Sequence, residues 1–313
     1  MAQHLRDAVE WPRKLWTPKS NLEPPNFTEK SILIAVMGMT GAGKTTFISK
    51  ITGLDMEIGH GLKSCTKEIQ IATIRIDGHE VHLIDTPGFD DTELKDSDIL
   101  IRIAGYLSSN IHLSGILYLH PITARRVGGA ATRNLEMFRN LVGEENMGNV
   151  KLVTTMWNDI TPQKGEAYLD ELMRDFWKVM ITAQAQVYRC DDAAKDGEHI
   201  IRSILRTSPV TLRFQREIQD GLRLEETAAG RVVMDQLNEL RERHERDIKE
   251  LREQLADATM HRDMVATIRK EYEEKLLKQE EAAEQARKLQ EADIEMLRKE
   301  VEELKKGGGC IIL

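Results

Sequence analysis

The sequence predicts an α/β domain with a mostly parallel central sheet, followed by a long C-terminal helix or coiled coil. Residues 31–206 alternate short apolar runs with amphipathic stretches, the pattern of buried strands joined by helical crossovers. Residues 231–306 contain neither glycine nor proline, and 17 basic and 21 acidic residues make half of this segment charged. Such a segment cannot form a globular core, but its Glu, Lys, Arg and Leu residues favour a helix.

The composition of the 313-residue chain argues against several classes of protein. Lys and Arg total 44 against 52 Asp and Glu, and the resulting net charge of −8 lacks the basic field of a nucleic-acid-binding protein. The cysteines, Cys65, Cys190 and Cys310, are far apart without metal-ligand spacing, which favours a reducing compartment. No apolar run approaches the roughly 18 residues that a membrane span needs, and the N-terminus lacks the pattern of a secretory signal. We therefore expect a cytoplasmic protein.

Three further segments complete the predicted organisation. Residues 1–30 carry four prolines, which break helices and sheet ladders, so we predict an irregular N-terminal lead-in. Residues 207–230, which contain the last proline before the charged segment, are predicted as a connector. Residues 307–313 are predicted as a glycine spacer and a tail.

The apolar runs predict the individual elements in order. Two runs, around Ile71 and Val81, meet at Asp77-Gly78, and this dipeptide favours a type I′ turn, so we predict an antiparallel hairpin. Buried strands are predicted over residues 31–37, 115–120, 150–156 and 185–188. Helices are predicted over residues 44–52, 98–108, 132–141, 163–183 and 197–206.

Residues 38–45, G-M-T-G-A-G-K-T, match the phosphate-loop pattern G-x-x-x-x-G-K-[ST] between a predicted strand and a predicted helix. Glycines let the backbone wrap around an anion, and the helix N-terminus adds its positive end. Lys44 is predicted to reach the β- and γ-phosphates, and the Thr45 hydroxyl to hold Mg²⁺. The residues of this segment predicted to bind nucleotide are Gly38, Thr40, Gly41, Ala42, Gly43, Lys44, Thr45 and Thr46.

A second signal, D-T-P-G, ends the predicted strand that carries Val81. Asp85 lies where a Mg²⁺ site next to the phosphate loop needs a carboxylate, and Gly88 has no side chain to keep its N–H from a γ-phosphate. Between the two motifs, Thr66 is predicted to complete the Mg²⁺ shell when a γ-phosphate is present, with Ser64 as the alternative.

Together, the phosphate loop, a loop threonine and D-T-P-G resemble the septin-like branch of guanine-nucleotide-binding proteins. This branch includes septins, immunity-associated nucleotide-binding proteins and chloroplast protein-import receptors. The resemblance covers about residues 31–206. It implies a Ras-like P-loop NTPase domain that binds GTP or GDP with Mg²⁺, hydrolyses GTP slowly and often forms a homodimer through its nucleotide face.

The resemblance also implies an element that recognises the base, of the pattern N-K-x-D or T-[KR]-x-D. Here Met156-Trp157-Asn158-Asp159 follows the fifth predicted strand, so Asp159 stands at the position of the guanine-binding Asp. Trp157 replaces the basic residue, and we expect its ring to lie on the base instead. A second base-contact loop falls at Arg189 and Cys190, without the small-residue pattern of the family.

The groups for hydrolysis are less complete. Ras-like enzymes orient the attacking water with a Gln just after the D-x-x-G glycine, whereas Phe89, Asp90 and Asp91 follow Gly88 here, so slow turnover is expected. The predicted catalytic groups are Lys44, Thr66 and Gly88. Arg125-Arg126 is either a surface pair or a source of an arginine for a partner's phosphates.

The charged segment carries the seam of a coiled coil in two places. Apolar residues step by three and four from Ile248 to Leu255 and again from Ile294 to Leu304, but Arg262 falls on a seam position between them. One continuous helix over residues 231–306 would be roughly 115 Å long. It is predicted either to pair as a coiled coil, which adds a second route to a homodimer, or to be a single solvated helix.

Cys310-Ile311-Ile312-Leu313 matches the C-a-a-X signal, and the Leu favours a geranylgeranyl group on Cys310. One prenyl group gives reversible membrane binding, to which Lys305 and Lys306 add little. A dimer would double the lipid and the charge. We expect the protein to associate with the cytoplasmic face of a membrane.

Two functions fit the sequence. In the first, the protein is a membrane-tethered switch that binds and slowly hydrolyses GTP. In the second, it is a coiled-coil scaffold that uses bound nucleotide only to dimerise, which the missing Gln favours. An ATP-using relative is a third interpretation, and a comparison of GTP with ATP separates it from the others.

Overall fold

The computed structural model describes residues 31–54, 69–89, 96–107, 111–124, 128–257 and 262–307. The chain divides into two compact units, Met1–Gly221 and Leu222–Leu313. Several predictions lie outside the described residues. They concern the lead-in at 1–30, Ser64, Cys65, Thr66, Asp90, Asp91, Arg125, Arg126 and Cys310.

The first unit is built on a six-stranded sheet in the order β2-β3-β1-β4-β5-β6. Its strands are β1 Ile32–Gly38, β2 Gln70–Ile76, β3 His79–Asp85, β4 Gly115–Pro121, β5 Val150–Thr155 and β6 Gln186–Arg189. All neighbouring strands run parallel except β2 and β3, which form the predicted antiparallel hairpin. At its turn Asp77 and Gly78 both have positive φ angles, 50° and 81°, as a type I′ turn requires. The mostly parallel sheet and the hairpin are therefore confirmed.

Helices connect the strands and cover the sheet. They are α1 Lys44–Thr52, α2 Asp96–Leu107, α3 Gly129–Val142, α4 Pro162–Glu171, α5 Lys178–Thr182, α6 Ala193–Arg202 and α7 Arg213–Gln219. Every residue of β1 is buried, as expected for a central strand covered on both faces. On one face, apolar side chains from the sheet pack against α1 and α6. This cluster includes Ile34, Val36, Phe47, Ile48, Leu83, Leu117, Val153, Ile200, Ile201 and Ile204.

The helix predicted over residues 163–183 is interrupted. A π-helical segment, Leu172–Phe176, separates α4 from α5, and the Trp177 amide donates to the Leu172 carbonyl, five residues back. This π-helical turn is wider than an α-helical turn, and it ends at Trp177, which is buried. The Trp177 ring contacts the His120 ring edge-on, with 5.8 Å between the ring centroids. Helix α6 begins four residues earlier than predicted because Asp192 caps it, accepting a hydrogen bond from the Ala194 amide at 3.0 Å.

Residues 207–221 are part of the first unit, so the predicted connector begins too early. Leu212 and Phe214 are fully buried, and Val210 pairs with Leu113 in an antiparallel bridge. Side-chain amides fasten this segment to the domain. The Asn146 and Asn149 amides donate to the carbonyls of Thr211 and Ser208, and Gln215 donates to the Ile111 carbonyl. The described contacts place the boundary near Gly221 rather than at residue 206.

The second unit contains two helices, α8 Ala228–Asp257 and α9 Arg262–Gly307. Asp247 on α8 pairs with Lys275 on α9 at 2.5 Å, and Glu245 on α8 bonds to Gln279 on α9 at 3.3 Å. The earlier residue of α8 thus contacts the later residue of α9, so the two helices run in opposite directions. The helices are therefore antiparallel neighbours within one chain, and the prediction of one continuous helix is wrong. Helix α9 begins at Arg262, where the apolar seam lapses in the sequence, and seam residues Ile248 and Leu251 are buried within the unit.

Helix α8 has a well-defined start. The Thr227 hydroxyl accepts a hydrogen bond from the Gly230 amide at 3.0 Å, which satisfies one of the open donors of the first turn. A Cβ atom at Gly230 would lie 1.8 Å from the Leu224 carbonyl oxygen, so only glycine fits there. Among the described residues, no helix combines the length and the apolar character needed to cross a bilayer.

Candidate functional site

The loop between β1 and α1 has a backbone that glycine makes possible. Gly38, Gly41 and Gly43 have φ angles of 140°, 79° and 85°, a region that side chains disfavour. A Cβ atom at Gly38 would also lie 2.3 Å from the Leu119 carbonyl oxygen. Gly43 stands at the N-cap of α1 and makes no side-chain hydrogen bond to the first turn, the end of a helix at which anions bind. The loop thus has the backbone conformation that a phosphate cradle requires.

The side chain of Lys44 extends toward the start of this loop. Its Nζ atom donates to the carbonyl oxygens of Gly38 at 3.0 Å and Met39 at 2.9 Å, and the side chain is buried. These bonds hold the ammonium group beside the loop instead of in open solvent. A buried cation fixed at the N-terminus of a helix adds to the positive field of the helix end.

Thr45 and Asp85 form the second part of the site. The Thr45 hydroxyl donates to Asp85 Oδ2 at 2.7 Å across the C-terminal end of β3. Asp85 is fully buried, and its Oδ1 atom has no hydrogen-bond partner among the residues that the structure describes. Burial raises the pKa of Asp85 to about 6, although the Thr45 hydrogen bond and the Lys44 charge act in the opposite direction.

This pair meets a requirement of a magnesium site. Mg²⁺ takes oxygen ligands, often one or two protein oxygens together with waters and substrate phosphates. A buried carboxylate oxygen without a partner, next to a threonine hydroxyl, supplies that chemistry and is costly without a cation. The residues present therefore fit the ion, and Thr66, predicted as a further ligand, lies outside the described residues.

The segment after β3 lies against the loop. Phe89 forms a parallel bridge with Met39, in which the Thr40 amide donates to the Phe89 carbonyl at 2.8 Å. A Cβ atom at Gly88 would be 2.6 Å from the Thr40 nitrogen, so this approach depends on glycine. Gly88 therefore lies at the loop, whereas its role as a γ-phosphate sensor stays a prediction.

The end of β5 joins the same site. The Thr155 hydroxyl donates to the Ala42 carbonyl of the loop at 3.0 Å. Met156 then adopts φ 62°, which is unusual for a side chain of its size, and a single 3-10 turn, Trp157–Asp159, follows. Asp159 is exposed on this turn, at the edge of the sheet that also carries the loop. Thr46, in the first turn of α1, is half-buried.

Trp157 does not lie where the sequence interpretation placed it. Only 4% of the residue is exposed, and its ring packs so closely on α4 that a Cβ atom at Gly165 would lie 2.6 Å from it. Its Nε1 atom donates to the Thr154 hydroxyl at 3.0 Å. A ring held in this way inside the domain is not available to cover a base, so that expectation is wrong. Large apolar surface is more stable packed on a helix than facing solvent.

Sequence reasoning also missed the environment of Arg189. Its guanidinium carbon lies 3.8 Å from the centroid of the Trp157 ring, and it pairs with Glu166 and Asp191. Arg189 is the last residue of β6, and the base-contact loop expected at Arg189 and Cys190 stays a prediction. The sequence contains a signal for this cation–π contact. An aromatic residue replaces the expected Lys, and an Arg stands at the end of the next strand. Cys190, next in sequence, is buried.

The chain is similar to several known proteins. A sequence model of the family described as 50S ribosome-binding GTPase matches residues 33–126. GTP-binding protein A from Dictyostelium discoideum is 31% identical over 141 residues, which cover 44% of this chain and 31% of that protein. The chain thus spans about a third of the length of that curated relative.

Solved structures give further likenesses. Toc33 from Arabidopsis thaliana, in complex with Mg²⁺ and GMPPNP, is 16% identical with a TM-score of 0.48, covering 58% of this chain and 88% of that one. Era from Aquifex aeolicus, bound to GDP and AlF₄⁻, is 18% identical with a TM-score of 0.44, covering 58% of each chain. The strand order and the loop geometry show the fold of a Ras-like P-loop NTPase domain, followed by a helical region, and the family match over residues 33–126 agrees with this fold. This confirms the predicted fold class, whereas the septin-like branch stays a prediction.

Proposed function

We propose that the first unit binds GTP and GDP together with Mg²⁺. The observation that carries this proposal is the Thr45–Asp85 pair beside the N-terminus of α1, in which a buried carboxylate oxygen has no partner among the described residues. A helix N-terminus by itself suits many anions, and a buried carboxylate by itself suits many cations. Together they match the two needs of a metal-bound polyphosphate, a cation ligand and a row of amide donors.

Each part of the loop has a separate task in this proposal. The amides of residues 41–45 hold the phosphate chain, and Lys44 offsets its charge from a position fixed by the Gly38 and Met39 carbonyls. Thr45 and Asp85 hold the cation, which when bound neutralises negative charge on the phosphates. Mg²⁺ commonly takes its other ligands from phosphate oxygens and waters, and Thr66 is the further ligand predicted from the sequence.

Asp159 is proposed to select guanine. A carboxylate accepts hydrogen bonds from the guanine N1–H and exocyclic amine, whereas adenine offers no such pair of donors. Asp159 is exposed on the turn after β5, and Thr155 ties the end of that strand to the phosphate loop. The hydrogen bond from Thr155 sets the distance between the turn and the loop.

Hydrolysis is proposed to be slow. The position after Gly88 is occupied by Phe89, which is fully buried and has no polar group to orient water. Loop amides, Lys44 and the Mg²⁺ ligands are then the remaining means of stabilising charge in the transition state. This observation also favours the second candidate function, a scaffold in which nucleotide remains intact.

Two measurements test these statements. Binding of Mg²⁺·GDP to the nucleotide-stripped chain should be lost in Lys44→Met, and should survive in Lys50→Met, an exposed lysine of the same helix. Single-turnover hydrolysis of bound GTP then separates the two functions. Conversion to GDP within hours supports a switch, whereas GTP that stays intact at protein concentrations that saturate dimerisation supports the scaffold.

We further propose that Cys310 is prenylated and tethers the protein to a membrane. Support comes from the order Cys-Ile-Ile-Leu after a glycine spacer, which matches the signal read by prenyltransferases. Mass spectrometry of the intact native protein tests it, with Cys310→Ser as the control. An unmodified cysteine in protein isolated from its native cells would refute the tether without affecting nucleotide binding.

Homodimer formation, through the nucleotide face or the helices, completes the proposal. A second lipid and a second set of charges would make reversible membrane binding stronger by effective concentration. Sedimentation of the chain with GDP, and with a non-hydrolysable GTP analogue, tests it. A monomer under both conditions at every concentration would contradict it.

A further inference from the structure

The turn that carries Asp159 is held from within the domain. Trp157, two residues before Asp159, is the buried anchor of this turn, fixed by its bond to the Thr154 hydroxyl and by its packing on Gly165. Asp159 itself is exposed, and its amide donates to the Met156 carbonyl at 3.2 Å. The position of its carboxylate therefore depends on how firmly Trp157 is held.

Arg189 closes the open side of this anchor. Its guanidinium lies over the indole at 3.8 Å, the geometry of a cation–π contact. Two carboxylates fix its orientation. Glu166 accepts from Nη1 at 2.6 Å, and both Asp191 oxygens accept from Nε at 2.9 Å. Bonds to charged partners on α4 and after β6 hold the guanidinium over the ring.

A second connection reaches the turn from the same cluster. The Asn158 side-chain amide donates to the Asp191 carbonyl at 3.3 Å. Trp157 and Asn158, the two residues before Asp159, are thus both tied to the segment that Arg189 organises. These contacts join the end of β5 to the end of β6, which are more than 30 residues apart in the sequence. Among the described residues, Arg189 is the basic residue that stacks on Trp157.

We propose that Arg189 is a positioning residue for base recognition, acting through Trp157 and Asn158 to hold the Asp159 carboxylate where it selects guanine. The proposal rests on the proposed function, because it assumes that Asp159 contacts the base. A hydrogen bond weakens steeply beyond about 3.2 Å or away from linearity. A small movement of the turn therefore costs base selectivity before it costs phosphate binding.

The test compares two nucleotides that differ only in the group that Asp159 recognises. Inosine diphosphate lacks the exocyclic amine of GDP, so the ratio of their dissociation constants reports the bond from that amine. With the nucleotide-stripped full chain and Mg²⁺, we expect GDP to bind about tenfold or more tightly than IDP. Arg189→Met should reduce this preference about three- to tenfold, and Arg189→Lys, which keeps a cation over the ring, should restore part of it. Arg174→Met is the matched control, because Arg174 is an exposed arginine with its own carboxylate partner, Asp175.

The outcomes separate this proposal from the proposed function. If the unaltered chain binds neither GDP nor IDP, the proposed function fails. If it binds both equally, or if Arg189→Met weakens GDP and IDP by the same factor, Arg189 has no positioning role and nucleotide binding stands. Should Arg189→Met fail to fold, Glu166→Gln removes one of the two carboxylates on Arg189 and is expected to lower the GDP preference about twofold. An unchanged preference in that variant would likewise overturn the proposal.

Discussion

At the scale of single residues, Gly88 is tightly packed at the candidate site without a positive φ angle. A Cβ atom there would lie 2.6 Å from both the nitrogen and the hydroxyl oxygen of Thr40. We expect Gly88→Ala to push the segment after β3 off the loop, lowering the free energy of unfolding by about 1–3 kcal/mol and weakening nucleotide binding. Denaturation followed by tryptophan fluorescence measures the stability of the first unit, because all four tryptophans of the chain precede residue 178.

A second glycine provides the control for this experiment. A Cβ atom at Gly148 would meet nothing within 4 Å, so Gly148→Ala should change stability by no more than about 0.5 kcal/mol. Equal denaturation midpoints for the two variants would contradict the described packing of Gly88 on the loop.

His120 makes stability depend on pH. It is buried on β4 against Trp177, and burial lowers its pKa from 6.5 to about 4. The unfolded chain therefore binds the proton more readily, so the stability that neutral His120 contributes is complete above about pH 6.5 and is lost as the pH falls toward 4. At pH 5 the expected loss is about 2 kcal/mol relative to pH 7.5.

The comparison of two variants isolates this effect from other groups. Asp85, whose pKa is raised by burial, acts in the opposite direction over the same range, so the unaltered chain shows only the balance. His120→Leu should lose less stability than the unaltered chain between pH 7.5 and 5, measured by urea denaturation. If both lose the same amount, His120 does not titrate as its burial requires.

The residues of the phosphate loop were predictable because their chemistry depends on local spacing. Gly38, Lys44 and Thr45 lie within eight residues of each other, and the backbone between one strand and one helix fixes their geometry. The burial of Trp157 was not predictable in this way. It depends on Gly165 in the next helix and on Arg189, 32 residues later, which meet only after the sheet has formed.

At the scale of elements, α7 is the main difference between prediction and structure. The helix has seven residues, too few for a hydrophobic period to be recognised, and Pro209 precedes it. Its attachment comes from long-range hydrogen bonds, such as that from Gln215 to the Ile111 carbonyl, which no local pattern reveals. The longer helices and the buried strands, by contrast, have clear periods, and their bounds were predicted within a few residues for α1, α2 and α3.

The membership of α7 in the first unit predicts a large effect for one substitution. Phe214 is fully buried, so Phe214→Ala should lower the free energy of unfolding of the first unit by about 3–5 kcal/mol. Leu54, which is 48% exposed, serves as the control, and Leu54→Ala should have an effect below about 0.5 kcal/mol. Tryptophan fluorescence during denaturation measures both. If Phe214→Ala has an effect as small as that of Leu54→Ala, residues 207–221 are a connector and not part of the first unit.

At the scale of the whole molecule, the sequence determines that the charged segment is helical but not what covers its apolar seam. Heptad spacing shows that a face needs a partner, and the partner is either another chain or another part of the same chain. In the structure, Asp247 and Lys275 join α8 to α9 within one chain. The seam lapses in the sequence at Arg262, the first residue of α9, but this lapse alone did not predict two antiparallel helices.

The antiparallel arrangement predicts a short distance between positions 245 and 279. Paired helices lie about 8–10 Å apart between axes, whereas one continuous helix would separate these positions by about 50 Å. Spin labels on cysteines introduced at Glu245 and Gln279 measure this by pulsed electron resonance. The short distance should persist when labelled protein is diluted with unlabelled protein before folding. A distance near 50 Å, or a short distance that disappears on dilution, would contradict pairing within one chain.

The function proposed for the whole chain depends on one site, in which the glycine loop, Lys44 and the Thr45–Asp85 pair bind a guanine nucleotide with Mg²⁺. Calorimetric titration of the nucleotide-stripped chain with GDP, GTP and ATP is the decisive experiment. With Mg²⁺ present, we expect saturable heat for one GDP or GTP per chain, little or none for ATP, and none for Lys44→Met. If neither guanine nucleotide produces heat while tryptophan fluorescence shows the protein folded, the site does not bind nucleotide and the proposed function is wrong.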